Sequence, residues 1–297
     1  MKVLILGATG FIGLPVAQAL VRAGHTVYGL ARNESKAKML AMEEIIPVLG
    51  DVDSDAWIPL IATLDVVIEA LGGGALDLKN VSPALLARVT ESASSLRPAD
   101  APLLAYVYTS GTWVHGDDRK NIVTDTTPIT RSVELVAWRS AVEQRVARST
   151  AVRGIVVRPS LLYGRGGSIL APLFKAAAAG GVVSWPGTPG GRYSVIHADD
   201  LADFYVRVTE KSSLLGGKIF DASNPNTESV DELLQKVVEV SPATGYKYRK
   251  PENLFEEAVA SSGVVRPYLG NALLGWTAKK PSLIDGLDVY YAASVAS

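Results

Sequence analysis

Apolar positions along this chain fall into two recurring patterns. Short β-branched and aliphatic runs at Lys2–Leu6, Thr26–Ala31, Ile45–Leu49, Asp65–Ala70, Leu103–Thr109 and Gly154–Arg158 are each followed by turn residues and predict strands. Between them apolar residues recur at helical spacing, as with Ile12, Val16, Ala19 and Leu20, and further helices are expected over about Val81–Leu96 and Ser132–Ser149. Pro15 sits early enough in the first helix that its missing N–H falls among donors already unpaired. Such alternation is the signature of βαβ units around a parallel sheet.

After Tyr163 the texture changes. Gly164–Ser168 is glycine-rich, Ala176–Ala179 is an alanine run and Pro186–Gly191 is a Pro/Gly loop, so a second lobe is expected there. Tyr193–His197 and Lys218–Ala222 predict strands flanking a helix at Ala198–Thr209, and the chain is expected to return to the first sheet with them. Helices near Thr227–Val240 and Glu252–Ala260 complete the lobe. The expected class is α/β: a Rossmann-type, doubly wound parallel sheet from residues 1–165 and 193–223, with a smaller substrate lobe from 166–192 and 224–297.

Composition narrows the chemistry. Hydrophobic residues make up 48% of the 297 positions, which excludes disorder. Twenty-nine basic against thirty acidic side chains, with no block of like charge, leave no broad footprint for nucleic acid, so any phosphate binding is local. Zero cysteines exclude a disulfide framework and thiolate chemistry. Three histidines without paired ligand spacing predict no metal site, and no Gly-x-Ser-x-Gly elbow is present. Val3–Val21 carries no charge, but Gly7, Thr9, Gly10, Gly13 and Pro15 interrupt it too often for a leader or a membrane span. The expected location is the cytoplasm, with no membrane partner.

The sharpest chemical signal is Gly7-Ala8-Thr9-Gly10-Phe11-Ile12-Gly13, between the first strand and the first helix. In that context the first glycine permits a tight turn, the second lets backbone approach a pyrophosphate and the third allows close helix packing. About 20 residues on, an acidic residue would hold the ribose hydroxyls of NAD. Here the place reads Ala31-Arg32-Asn33, and the planar donor fork of Arg32 suits a 2′-phosphate, so NADP(H) is expected.

The Gly-x-x-Gly-x-x-Gly form resembles the extended and atypical short-chain dehydrogenase/reductase superfamily, whose epimerase/dehydratase-like members share further marks found here in order. Gly50-Asp51-Val52 resembles the segment beside the adenine. Asp65–Gly72 resembles the strand and turn under the cofactor, Thr109–Gly116 the Ser-rich strand end, and Arg158–Gly164 the Arg-Pro-x-x-x-Tyr-Gly turn. His197–Ala202, Leu274-Gly275-Trp276 and Gly286-Leu287 resemble its distal motifs. The resemblance implies cofactor contacts from Thr9, Phe11, Ile12, Asp51, Val52, Ala70, Leu71, Gly72 and Thr109. It implies others from Arg139, Pro159, Ser160, Leu161 and Leu162.

The expected catalytic centre departs from that family's pattern. Counting back from Glu143, the family's Lys place holds Arg139 and its Tyr place holds Leu135, while Gly111 stands where a Ser or Thr is usual. A phenol beside a cation can donate the proton that accompanies hydride transfer, and leucine cannot. Arg139 can hold positive charge without titrating, and Ser110, Thr112 and His115 are the substitute donor candidates. The expected pocket is built from Gly72–Leu76, Gly111–His115, Leu161–Ser168 and Trp185–Tyr193, with few charges. This predicts a reductase acting with NADP(H) on a small, mostly apolar carbonyl or activated double bond. The alternatives are a non-catalytic NADP-binding redox regulator and a sugar-nucleotide epimerase or dehydratase. Helix Ser132–Ser149 is the candidate face for a homodimer.

Overall fold

A computed structural model describes residues 1–73, 76–166 and 168–296. Its central sheet has seven strands: β1 (Lys2–Leu6), β2 (Thr26–Ala31), β3 (Ile46–Leu49), β4 (Val66–Glu69), β5 (Ala105–Thr109), β6 (Arg153–Pro159) and β7 (Ile219–Ala222). They lie in the order β3-β2-β1-β4-β5-β6-β7, with parallel registers such as Val3 against both Val27 and Val66. This is the expected Rossmann-type arrangement. The order reverses between β1 and β4, so the carboxyl ends of those two strands frame the crevice where such sheets take ligands. Val3 to Leu6, all of β4 and all of β5 are buried, which accounts for their near-continuous apolar runs.

Contacts divide the chain into two compact units. Unit 1 comprises Met1–Ser110, Ala141–Val157 and Leu201–Phe220, and unit 2 comprises Gly111–Ser140, Arg158–Asp200 and Asp221–Ser297. In unit 1, α1 (Gly13–Arg22) buries Val16, Ala17 and Leu20, and α2 (Glu34–Met42) is capped by Asn33, whose Oδ1 accepts from the Lys36 N–H at 3.0 Å. Helix α3 (Leu78–Leu96) begins one turn before the expected Val81, carrying Pro83 inside it.

Unit 2 is built around Tyr163, Phe174, Trp185, Val195, Leu234 and Tyr290, among other buried side chains. Strand Arg192–His197, expected to accompany a return to the central sheet, instead pairs with Leu161–Tyr163 and Thr227–Ser229. Two parallel pairs, Ala243–Arg249 with Gly181–Pro186 and Gly263–Val265 with Asp118–Val123, were not foreseen. The expected helix Thr227–Val240 starts only at Val230, because Ser229 is extended and caps it through Glu232 N–H.

The long helix expected over Ser132–Ser149 is a correction of a different kind. Only α4 (Arg139–Ala147) is α-helical, preceded by a 3-10 turn at Glu134–Val136. Ser132 Oγ donates to the Val114 carbonyl at 2.8 Å and Val133 N–H to the Trp113 carbonyl at 3.1 Å. Those bonds hold the segment extended, so local competition for backbone groups overrides the apolar spacing.

Arg97, just past α3, gathers three backbone carbonyls: Ile61 and Leu64 through Nη1 at 2.9 and 2.7 Å, and Pro102 through Nη2 at 2.8 Å. It ties the helix end to the segment entering β5. Replacing it, Arg97→Met, is expected to lower stability by about 1.5–3 kcal/mol, the range for hydrogen bonds to a charged group. Urea unfolding reads this directly, and an unchanged midpoint would remove the clamp from the account.

Candidate functional site

The site in unit 1 starts from the turn after β1. Gly7 has φ of 93°, and a Cβ there would lie 2.5 Å from the Ala70 carbonyl oxygen. Its own carbonyl accepts from Gly10 N–H at 2.9 Å, and Gly10's accepts from Leu14 N–H at 3.0 Å. At Gly13 the constraint is contact: a Cβ would stand 2.1 Å from the Gly7 oxygen. The turn therefore lies directly on the start of α1, the positive end of the helix dipole, although Leu14 N–H is already bonded to the Gly10 carbonyl and Pro15 has no N–H to offer. Such an end receives anions.

Around this turn lies a cavity of about 630 Å³, its open mouth included. Gly7, Thr9 and Gly10 line it from the turn, Leu30 and Arg32 from the end of β2, and Asp51 and Val52 from beyond β3. Ala70, Leu71, Gly72 and Leu76 complete it from beyond β4. Nine expected cofactor residues are thus brought onto one cavity, with Phe11, Ile12 and Gly13 on the adjoining helix start. Leu30 was missed, although the period of two along β2 places it on the face of Arg32. Leu76 was expected on the substrate pocket, within Gly72–Leu76, and lines this cavity. The Asp51–Val52 loop is held firmly: Asp51 Oδ1 accepts from Val52 N–H at 2.8 Å, and the Val52 carbonyl accepts from Trp57 Nε1 and Arg88 Nη1 at 3.2 and 2.9 Å.

The carboxyl end of β5 is tied by buried hydroxyls. Thr109 Oγ1 lies 2.6 Å from Tyr205 Oη, and Ser110 Oγ donates to Glu143 Oε1 at 2.5 Å. Glu143 is fully buried on α4. A second buried carboxylate, Glu69, accepts from Ser82 Oγ and from the Tyr106 phenol. Burial, with the Glu69 charge adding to it, pushes the Tyr106 phenol well above its ordinary range. Sequence reasoning gave neither carboxylate these partners, because nothing local links residues 33 or 37 positions apart.

In unit 2 the turn Thr112–His115 places its members differently. Thr112 lines a crevice with Trp113, Leu161, Arg192 and Tyr193, which draws on three of the segments expected around a substrate. Of the remaining expected positions, Gly74, Ala75 and Gly167 lie outside the described residues. His115 points elsewhere: its Nε2 is 2.8 Å from Asp221 Oδ2, and its side chain is 2% exposed. Arg158 Nη1 reaches the other oxygen of Asp221 at 3.4 Å. Arg139 lies with its guanidinium 4.7 Å from the centre of the Trp138 ring, and Leu135 sits in the 3-10 turn before it. Pro159 ends β6, Ser160 N–H donates to the Ala222 carbonyl at 2.9 Å, and Leu161 and Leu162 belong to the short strand that follows. Ser160 Oγ is buried and finds no hydrogen-bond partner among the described residues.

Among the described residues no cluster of His, Asp or Glu could hold a metal ion, and no helix is long and apolar enough to cross a membrane. Residues 3–222 match the NAD dependent epimerase/dehydratase family. An uncharacterized protein of Schizosaccharomyces pombe is 28% identical over 228 residues, 75% of this chain and 74% of its own. The 2-alkyl-3-oxoalkanoate reductase of Stenotrophomonas maltophilia is 25% identical over 252 residues, 80% of this chain and 76% of its own. Human epimerase family protein SDR39U1, solved with NADPH, superposes with a TM-score of 0.70 at 20% identity, covering 98% of this chain and 99% of that one. The dTDP-glucose 4,6-dehydratase of Bacillus anthracis, solved with NAD, gives 0.81 at 14% identity, covering 100% and 97%. The two solved structures establish the shared fold.

The packing of the turn on α1 leaves no room at Gly13. Gly13→Ala is expected to cost about 1–3 kcal/mol, the usual penalty for overpacking, and to shift the backbone amide signals of Gly7 to Ile12 in ¹⁵N spectra. A variant as stable as the parent, with those signals unmoved, would show that the turn has slack.

Proposed function

The chain belongs to the NAD dependent epimerase/dehydratase family, and from that premise we propose that it is a reductase using NADP(H) on a small, mostly apolar carbonyl or activated double bond. The observation that carries the reading is Arg32 on the cavity wall at the end of β2. A carboxylate there would hold ribose hydroxyls and repel a 2′-phosphate, whereas a guanidinium offers that phosphate a fork of donors. The next residue, Asn33, is occupied in capping α2. The NADPH-bound human structure supports the choice of cofactor, and the Stenotrophomonas reductase supports the choice of reaction.

The residues present fit such a cofactor. The Gly7–Gly13 turn and the positive end of the α1 dipole suit the pyrophosphate, Asp51 and Val52 the adenine side, and Ala70 to Gly72 the strand end beneath the dinucleotide. Thr109, Pro159, Ser160, Leu161 and Leu162 are assigned to it on family resemblance. When bound, NADPH supplies the hydride. Among the chain's own groups, Thr112 is the donor we assign to the substrate oxygen, since its crevice holds Trp113, Leu161 and Tyr193 as an apolar wall. Ser110 donates its hydrogen bond to Glu143, and His115 is enclosed against Asp221, so both act by fixing their loops. Arg139, stacked on Trp138, contributes a fixed positive potential. A sugar-nucleotide substrate has less support, because Arg192 spends Nε and Nη2 on Thr227.

Fluorescence titration with NADPH and NADH tests the reading. A charge-assisted contact of about 1.5–3 kcal/mol corresponds to roughly 10–150-fold preference for NADPH, which Arg32→Ala should abolish. Equal affinities in the parent protein would overturn the assignment. In the same assay, Thr112→Val should lower kcat for NADPH oxidation across a panel of ketones and enones while leaving NADPH affinity unchanged. NADPH binding without turnover on any member of the panel would favour the regulatory alternative.

A further inference from the structure

Unit 2 contains a second concavity that shares no lining residue with the Thr112 crevice. Its cavity volume is about 250 Å³, just below the range of drug-sized sites and so suited to a small ligand. Pro225, Pro267, Gly270, Trp276 and Ala278 form its walls, Asp221 and Ser223 its buried end, while Asn271 and Thr277 stand at the exposed end. From this geometry we infer that the cleft is a binding site for an uncharged aromatic or alicyclic molecule with at most one neutral polar group.

Three features support that occupant. The walls are preformed: Trp276 Nε1 donates to the Asp200 carbonyl at 3.1 Å, which fixes the indole. The segment bearing Pro267 and Gly270 is anchored by one buried carboxylate, Asp125. Its Oδ2 accepts from Tyr268 and Leu269 N–H at 2.8 and 3.2 Å, and its Oδ1 accepts from Asp221 N–H at 2.8 Å. Both sides of the cleft therefore meet on the same side chain, and little ordering is left for a ligand to impose. The charge at the buried end is already matched, since Asp221 is enclosed by His115 and Arg158. An ion entering between the prolines and the indole would lose its hydration without gaining a partner. An uncharged ring loses little and gains contact with Trp276 and the prolines. Its single polar group is satisfied at the mouth, where the Asn271 amide and the Thr277 hydroxyl are exposed.

The chain's five tryptophans make the test direct. The probe is 2-naphthol, added to the full chain without cofactor, and the readout is the set of indole N–H signals in ¹H–¹⁵N spectra. The Trp276 indole should shift with saturable dependence on 2-naphthol, while those of Trp57, Trp113, Trp138 and Trp185 stay in place. The anionic analogue 2-naphthoate should bind at least 10-fold more weakly, and Ala278→Phe, which fills the cleft from a half-exposed position, should weaken 2-naphthol at least 10-fold. Circular dichroism checks that the variant is folded, and the mapping in the parent protein needs no variant. Movement of Trp113 in place of Trp276, equal binding of the naphthoate, or no saturable binding would each overturn the inference. Because no nicotinamide cofactor is present, its failure would leave the cofactor reading untouched, and failure of that reading would leave this one standing.

Discussion

Bare backbone at two positions organises the ligand-binding side of unit 1. The space a side chain would take at Gly7 belongs to the Ala70 carbonyl, and the space at Gly13 belongs to the carbonyl of Gly7 itself. Strand β1, the end of β4 and the start of α1 can meet only because neither residue has a Cβ. Once they meet, the positive end of the α1 dipole lies beside the turn, at the point where the strand order reverses. The ends of β2 and β3 then deliver Arg32 and Asp51 to the same cavity.

A second theme is the use of buried carboxylates to hold strand ends and loops. Glu143 accepts a hydrogen bond from Ser110, Glu69 accepts from Ser82 and Tyr106, and Asp125 collects three backbone N–H groups. A buried carboxylate is costly unless its oxygens are hydrogen-bonded, and each of these is bonded several times over or by short contacts. Burial pushes the Asp125 carboxyl above its ordinary range, against the pull of those N–H donors. In the proposed reading, the pairing of Ser110 with Glu143 and of His115 with Asp221 favours Thr112, which faces a crevice, as the donor.

Much of this was readable from the chain. Strands β1 and β2 were legible to the residue, because an interior parallel strand is an unbroken apolar run and each ends at a turn or cap residue. The glycine spacing and Arg32 were legible because their meaning depends only on neighbours within one strand-turn-helix. Segment 132–138 was not, since its apolar spacing suggests one continuous α-helix, whereas bonds to the carbonyls of Trp113 and Val114 hold Ser132 and Val133 extended and leave a 3-10 turn before α4. Strands Gly181–Pro186 and Ala243–Arg249 were hidden for a similar reason: each is glycine- or proline-marked alone, and they become strands by pairing across 62 or 63 positions. The carboxylate pairings are purely tertiary, and no local pattern announces them.

The central claim is that the cavity beside Gly7 recognises a 2′-phosphate through Arg32, and the smallest ligand pair that isolates this group is adenosine 2′,5′-bisphosphate and adenosine 5′-monophosphate. Calorimetric titration of both at low salt removes the nicotinamide and the rest of the dinucleotide from the comparison. The account predicts at least 10-fold tighter binding of the bisphosphate, with the advantage shrinking as salt screens an exposed guanidinium. Equal affinity for the two nucleotides would contradict it.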